Sequence, residues 1–202
     1  SYNNTVGERS LERGFKVAKV YASGSVVDGL GGGICQTSST LYNAVLLADL
    51  EVTERKNHSL SVAYVPLGRD ATVSYGSIDF KFKNTTTNPI FIECYINNGK
   101  LIVRLYGSEN FKIYDNVIFD RKIISAVPSN EIIEVYDSEV MPGEKVITQV
   151  GKSGATAKLK VVKIDSETKK VIKRAGIKFK IFSVDNNEYV CQKITNHTKW
   201  QK

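Results

Sequence analysis

The sequence predicts an α+β protein: an antiparallel sheet packed on one key helix (35–48), followed by an all-β extension and a partial β-sandwich domain. Three observations carry this. In GGGICQTSSTLYNAVLLADL (31–50), Leu41, Ala44, Val45 and Ala48 recur at helical spacing and can face a core. Beyond it, stretches near 59–66, 71–75, 78–83, 89–96 and 100–106 are rich in Val, Ile, Tyr, Phe and Thr and broken by Gly, Asn and Pro, as short strands are. In the tail, KLKVVKI and IKFKIF alternate lysine with apolar residues, the pattern of a strand with one wet face. The expected divisions are 1–110, 111–156 and 157–202, the last incomplete.

Taken in order, residues 1–30 are polar and turn-rich, with a strand candidate at Phe15–Tyr21 and a Ser-Gly turn at 23–24. The helix follows, its first turn crowded by Gln36, Thr37, Ser38, Ser39 and Thr40, whose side-chain oxygens can satisfy orphan N–H groups; Asp49 ends the apolar run. DFKFKN (79–84) alternates like a half-exposed strand, and FIECYINNGKLIVRLYG (91–107) reads as a hairpin turning at Asn97-Asn98-Gly99. Short strands continue through KIYDNVIF, KIISAV and EIIEVY, and two glycine turns flank a strand within 137–159. From Lys158 the pattern is strand, turn at 165–170, strand, Asp-Asn-Asn turn and strand.

With 202 residues and 42% apolar content the chain can bury a core. It has no run of about 18 apolar residues for a membrane span. The opening SYNNTVGERS lacks the basic-then-apolar pattern of a signal peptide and starts abruptly, as if within a longer chain. The net charge of +7 is uneven: residues 1–155 hold 16 Lys+Arg against 17 Asp+Glu, and residues 156–202 hold 12 against 4. The basic character therefore belongs to the tail, where the alternation describes a solvated strand face and argues against nucleic acid as a partner. Cys35, Cys94 and Cys191 show neither CxxC pairing nor a His/Cys cluster, so neither a zinc site nor a disulfide scaffold is expected, and no metal or cofactor is called for.

Cys35 is the residue with chemistry. At a helix start, the exposed amides and the dipole favour a thiolate. The glycines before it allow close approach of backbone, and amides around Gly32, Gly33 and Gln36 can hold an oxyanion. The plain alternative is a buried cysteine acting as a small hydrophobe. Of the two histidines, His197 lies among polar residues and reads as a surface group, whereas His58 in ERKNHSLSV enters the sheet where an imidazole can meet the thiol as its base. A third group would orient that ring; Asn57 is too close in sequence to turn back on its neighbour, and Asp70 and Asp79 are the candidates. Arg69 offers a planar guanidinium for a substrate carboxylate. Ser38 and Ser39, lacking any Ser-x-x-Lys or G-x-S-x-G context, read as capping or substrate-contacting groups.

These residues resemble a known family. Gly31–Tyr42, the Asn57-His58 pair and GRDATVSYG (68–76), within 29–84, resemble the VanW domain of bacterial cell-envelope proteins. The likeness covers about 1–107 and implies that the family's N-terminal edge is missing. Some members are understood to be L,D-transpeptidases that cross-link peptidoglycan stems through the cysteine of the GGGICQ motif. The resemblance thus implies a Cys35 nucleophile with His58 as partner, a tetrapeptide donor that loses D-alanine, stem peptides as partners, and a Gram-positive wall location reached by export or an anchor in a missing N-terminal part. The alternatives are a non-catalytic module that binds peptidoglycan or a glycopeptide, and a surface-display spacer. KVVKIDSETKKVI and AGIKFKIF, within 158–190, resemble the start of a Cna-B or SpaA-type surface domain, which implies Lys163 as an isopeptide lysine whose Asn partner falls beyond Lys202. Segment 131–155 loosely resembles glycine-turn β modules found beside cell-wall enzymes.

Overall fold

A computed structural model describes residues 1–22, 25–107, 116–129, 134, 138–146, 153–164, 168 and 171–182, the last stretch by its backbone. In chain order these form α1 (Tyr2–Val6), β1 (Val17–Ala22), β2 (Ser25–Leu30), α2 (Ile34–Leu47), β3 (Glu51–Glu54), β4 (Lys81–Lys83), β5 (Phe91–Asn97), β6 (Lys100–Tyr106), β7 (Asn116–Val127), β8 (Gly154–Ile164) and β9 (Val171–Phe182). The fold is α+β, as expected. The expected single sheet is instead three antiparallel ribbons, β1-β2, β3-β4 and β5-β6, with a three-stranded sheet β7-β8-β9.

The helix α2 sits in the middle of the core. Tyr42 and Val45 are fully buried and Leu41 and Leu46 nearly so. Each such side chain contributes roughly 1.5–3 kcal/mol by leaving water. Tyr42 meets Phe80 edge to face, ring centres 5.6 Å apart, and Phe80 stacks on Phe82. The same cluster takes in Leu50, Leu67, Ala71, Val73 and Val103, then Val117 of β7 and Ala155, Ala157, Leu159 and Val161 of β8. In β8 the odd-numbered residues 155–161 face inward, the period-two pattern of a strand with one buried face. The sheet after residue 107 therefore shares its core with the domain before it. β8 begins ahead of the expected 156/157 division and pairs with β7 along its length, so extension and tail form one sheet.

Two polar contacts reinforce that junction. Lys163, buried on β8, ion-pairs with Asp49, which lies just past α2 in the left-handed region at φ 57°. A lysine there also offsets the negative end of the helix dipole. The Arg69 guanidinium lies 4.3 Å over the Phe119 ring of β7.

The β5-β6 hairpin turns as its sequence dictates. Asn97 pairs with Lys100, leaving Asn98 and Gly99 at φ 49° and 74°, the two positive values a type I′ turn requires. Elsewhere the strand reading needs correction. Residues 59–66 form no strand: Ser61, Val62 and Val65 are buried as coil, and the stretch read at 71–75 contributes only the bridges Lys56↔Thr72 and Ser74↔Ile78. β3 (EVTE), too short and acidic to be read as a strand, exists because KFK of β4 pairs with it, with Lys81 bonded to Glu54 at 2.7 Å. The 23–24 turn, the first half of KIYDNVIF (112–115), EIIEVY apart from Glu134, the last tail strand, Cys191 and His197 lie outside the described residues. Among the described residues no helix is long and apolar enough to cross a membrane.

Candidate active site

The glycine run sets the helix start. Gly33 caps α2 in the left-handed conformation (φ 89°), and its carbonyl accepts from the Gln36 and Thr37 amides at 3.0 and 3.2 Å. The Ile34 amide is taken by Gly31 O at 3.3 Å. Gln36 N–H, expected among the oxyanion donors, is thus already engaged in closing the first turn. Gly32 is needed for space: a Cβ there would stand 2.5 Å from Ala18 Cβ, 2.7 Å from Ala18 C and 2.9 Å from Lys19 O. Two of these are backbone atoms of β1 that cannot step aside. Gly32→Ala is therefore expected to cost about 1–3 kcal/mol as an overpacking change and to push the β1-β2 hairpin off the helix start. Thermal melts read the first effect and thiol reactivity the second.

One face of α2 is polar yet buried, and it holds the segment 69–73 in extended form. Ser38 Oγ donates to Ala71 O at 2.6 Å and to Cys35 O at 3.1 Å. Ala71 N–H donates to Ser39 Oγ at 2.9 Å, and Asn43 Nδ2 donates to Arg69 O at 2.7 Å. From the other side Thr72 N–H donates to Lys56 O at 2.8 Å. Helix side chains thus replace a neighbouring strand in satisfying this backbone. The clamp brings Thr72 and Val73 to the cysteine, with Sγ lying 3.7 Å from Thr72 Oγ1 and 3.5 Å from Val73 O.

The same segment presents Asp70 to His58. Asp70 Oδ2 accepts from the His58 backbone N–H at 2.7 Å and lies 2.8 Å from Nδ1, with both side chains almost wholly buried. Asp70 Oδ1 accepts from Arg55 at 2.8 Å, and Arg55 Nε donates to Asp70 O at 2.6 Å while its guanidinium lies over Tyr42. Nδ1 being taken, Nε2 is the nitrogen left to serve the thiol, and it also lies 3.1 Å from Tyr64 Oη. The imidazole and the Cys35 thiol lie near enough for each to move the other's titration.

The electrostatics follow. Burial alone would favour neutral His58, but the bonds to Asp70 and Cys35 outweigh it and lift the imidazolium to about 9. Burial likewise opposes the Cys35 thiolate, yet His58, Val73 and Thr72 bring the thiol below its usual value. Asp70 stays below the usual carboxylate range because His58 and Arg55 overcome its desolvation. Both members of the Cys–His pair thus move toward a thiolate–imidazolium pair. Cys94, on the exposed side of β5, moves the other way: desolvation pushes its thiol up. At pH 7 iodoacetamide is accordingly expected to alkylate Cys35 at least about tenfold faster than the more exposed Cys94, with the gap closing above pH 9. Peptide mapping after timed quenching reads the ratio.

The structure brings Cys35, His58 and Asp70 together and separates the other candidates from them. Asp79 is not beside the imidazole: it accepts from Ser1 Oγ at 2.6 Å and from the Asn3 and Phe80 amides, anchoring α1. Ser38 is fully buried and holds backbone rather than facing a ligand. Arg69, expected to grip a substrate carboxylate, bonds Asn43 Oδ1 at 2.5 Å and covers Phe119. Asn57 donates to the His58 carbonyl at 2.8 Å. Lys163 pairs with Asp49 away from this cluster. Arg55, Tyr64 and Thr72 were missed, because each meets the site through tertiary folding that no local pattern announces. Among the described residues no three His, Cys, Asp or Glu side chains gather as a metal site would require.

The family profile described as VanW like protein matches residues 1–106, the portion that carries this cluster. The chain belongs to the VanW-like family. It is 48% identical over 109 residues to the uncharacterized protein YoaR of Bacillus subtilis (strain 168), a match covering 54% of this chain and 36% of the relative. It is 29% identical over 100 residues to the vancomycin B-type resistance protein VanW of Enterococcus faecalis (strain ATCC 700802 / V583), covering 47% of this chain and 36% of that protein. The chain therefore spans about a third of each of these relatives. No solved structure gives a significant match. The family match ends at the hairpin β5-β6, so the sheet β7-β8-β9 lies outside the VanW-like domain.

Proposed function

We propose that this VanW-like domain is a cysteine-dependent acyltransferase of the bacterial wall, an L,D-transpeptidase acting on peptidoglycan stem peptides. The observation that carries the reading is the buried 2.8 Å contact between His58 Nδ1 and Asp70 Oδ2, which leaves Nε2 as the nitrogen to serve the nearby Cys35 thiol. The Cys35 thiolate attacks the carbonyl of the diamino acid in a tetrapeptide donor. The oxyanion meets the Cys35 amide, left over where the Ile34 and Gln36 amides are already bonded. His58 protonates the departing D-alanine amine, leaving a thioester. An acceptor amine, losing its proton to His58, then attacks the thioester, forms the cross-link and releases the thiol. Asp70 fixes the ring so that Nε2 handles every proton. The tail sheet carries the domain as part of an exported wall protein, with Lys163 ion-paired to Asp49 past the end of the helix.

The test is incubation with a purified disaccharide-tetrapeptide, reading dimer and released D-alanine by mass, with the Cys35→Ala protein alongside. Dimer from wild type and none from the variant is the expected result. Equal yields from both proteins refute the reading. Hydrolysis without dimer would reassign the reaction as a carboxypeptidase's.

A further inference from the structure

Beside the thiol lies a cation that the mechanism above does not use. Arg9, in the loop between α1 and β1, donates from one terminal nitrogen to Val73 O at 3.2 Å. This is the carbonyl that lies 3.5 Å from Cys35 Sγ, so guanidinium and sulfur share one acceptor. The approach is built in: a Cβ on Gly31 would stand 2.9 Å from Arg9 Cδ, so the first glycine of the run lets the arginine stem cross the helix start. Arg9 is partly buried, and among the described residues no carboxylate pairs with it. An ionisable group near it is Tyr2, whose hydroxyl donates to Ile34 O at 3.4 Å. Burial pushes that phenol well above its usual value, so it stays neutral and leaves the arginine's charge uncompensated. A guanidinium with one donor engaged keeps further N–H groups for a two-pronged carboxylate contact.

We propose that Arg9 is the specificity residue of this site, binding the free terminal carboxylate of a peptide whose last amide bond is the one Cys35 attacks. The assignment rests on the nucleophile reading of Cys35. In such a peptide the attacked carbonyl and the terminal carboxylate are separated by one nitrogen and one Cα, a residue step of about 3.8 Å. That spacing suits two groups placed around one carbonyl oxygen. The arginine thereby makes the site exo-acting: a chain extended by one residue, or ending in a carboxamide, presents no anion at Arg9. This is the selective role first assigned to Arg69, taken by an arginine from another part of the chain.

The test compares iodoacetate with iodoacetamide as alkylating probes of Cys35 in the whole chain. His58 attracts the anionic reagent in every variant, so the reading is the change in the rate ratio between variants. Arg9→Gln is expected to lower the iodoacetate-to-iodoacetamide ratio about tenfold, the effect of one partly screened charge. Arg9→Met, which keeps the aliphatic stem over Gly31, is expected to do the same. Arg9→Lys is expected to restore most of the ratio, and the iodoacetamide rate, which checks the fold, is expected to hold within about twofold throughout. An unchanged ratio in Arg9→Gln and Arg9→Met overturns the proposal while leaving the Cys35 reading intact. Failure of Cys35 to react with either probe in wild type overturns both. On a tetrapeptide donor, Arg9→Gln is expected to raise KM with little change in kcat and to abolish the preference for carboxylate over carboxamide termini. Retention of that preference counts against Arg9.

Discussion

Asp70→Asn is expected to lower the rate of cross-link formation by about 10⁴-fold, the scale on which an acid-to-amide change acts in a nucleophile–histidine–acid arrangement. Oδ2 of Asp70 accepts twice from His58, at the backbone N–H and at Nδ1. An asparagine that keeps the backbone bond with its oxygen turns its NH₂ toward Arg55, where two donors face each other. Turned the other way, it sets NH₂ against the backbone N–H and Nδ1, which forces the imidazole into the tautomer protonated at Nε2. That nitrogen then has no lone pair for the thiol or for an acceptor amine. The thiol, deprived of a charged neighbour, moves back up, so alkylation of Cys35 at pH 7 slows toward the rate of Cys94. Cross-linking within about tenfold of wild type, with Cys35 still fast, would exclude Asp70 as the orienting group.

Arg55→Ala is expected to be the most damaging single change to stability, about 3–5 kcal/mol, because it takes from the buried Asp70 carboxylate one of its two cationic partners and the fork to its O and Oδ1. For a chain of this size that is a fall in Tm of about 10 °C. The sign of the pH dependence is fixed by the carboxyl. In wild type Asp70 is held below its ordinary 3.8, so its contribution is complete above that value and is lost as pH falls through its lowered folded value. Without Arg55 the carboxyl rises, and in acid it becomes neutral and no longer needs a partner. The Tm gap between the two proteins should therefore narrow as pH is lowered from 7 toward 4. Arg55→Lys keeps the charge but loses the fork to Asp70 O and Oδ1, and should fall between them. A gap that is flat with pH would mean that Arg55 acts through its packing on Tyr42 instead.

What the sequence revealed of this site was local. Three glycines, a cysteine and a polar first turn describe a helix start whichever core the helix enters, and Asn98-Gly99 describes a hairpin from two residues. His58 could be named because the alternatives were few. Choosing between Asp70 and Asp79 needed the fold: the side chains of Ser38, Ser39 and Asn43 decide that 69–73 runs along the helix, and only then does Asp70 meet the ring. The same clamp explains two misreadings. Ser38 looked like a ligand-facing hydroxyl because its acceptor, Ala71 O, lies 33 residues away. Arg69 looked available because Asn43 and Phe119 are distant in sequence. Residues 59–66 have strand composition but pair at no more than a single bridge position, Leu60, and in β-structure pairing decides where propensity only suggests.

The shared core between the helix and β8 has a practical corollary for anyone handling this chain. Trimming it at residue 106, where the family likeness stops, would strip Val117, Ala155, Leu159 and Val161 from the cluster and turn an interior wall into bare oily surface. Such a fragment would clump or seek another protein to cover it, and its silence in an assay would say nothing about the sulfur.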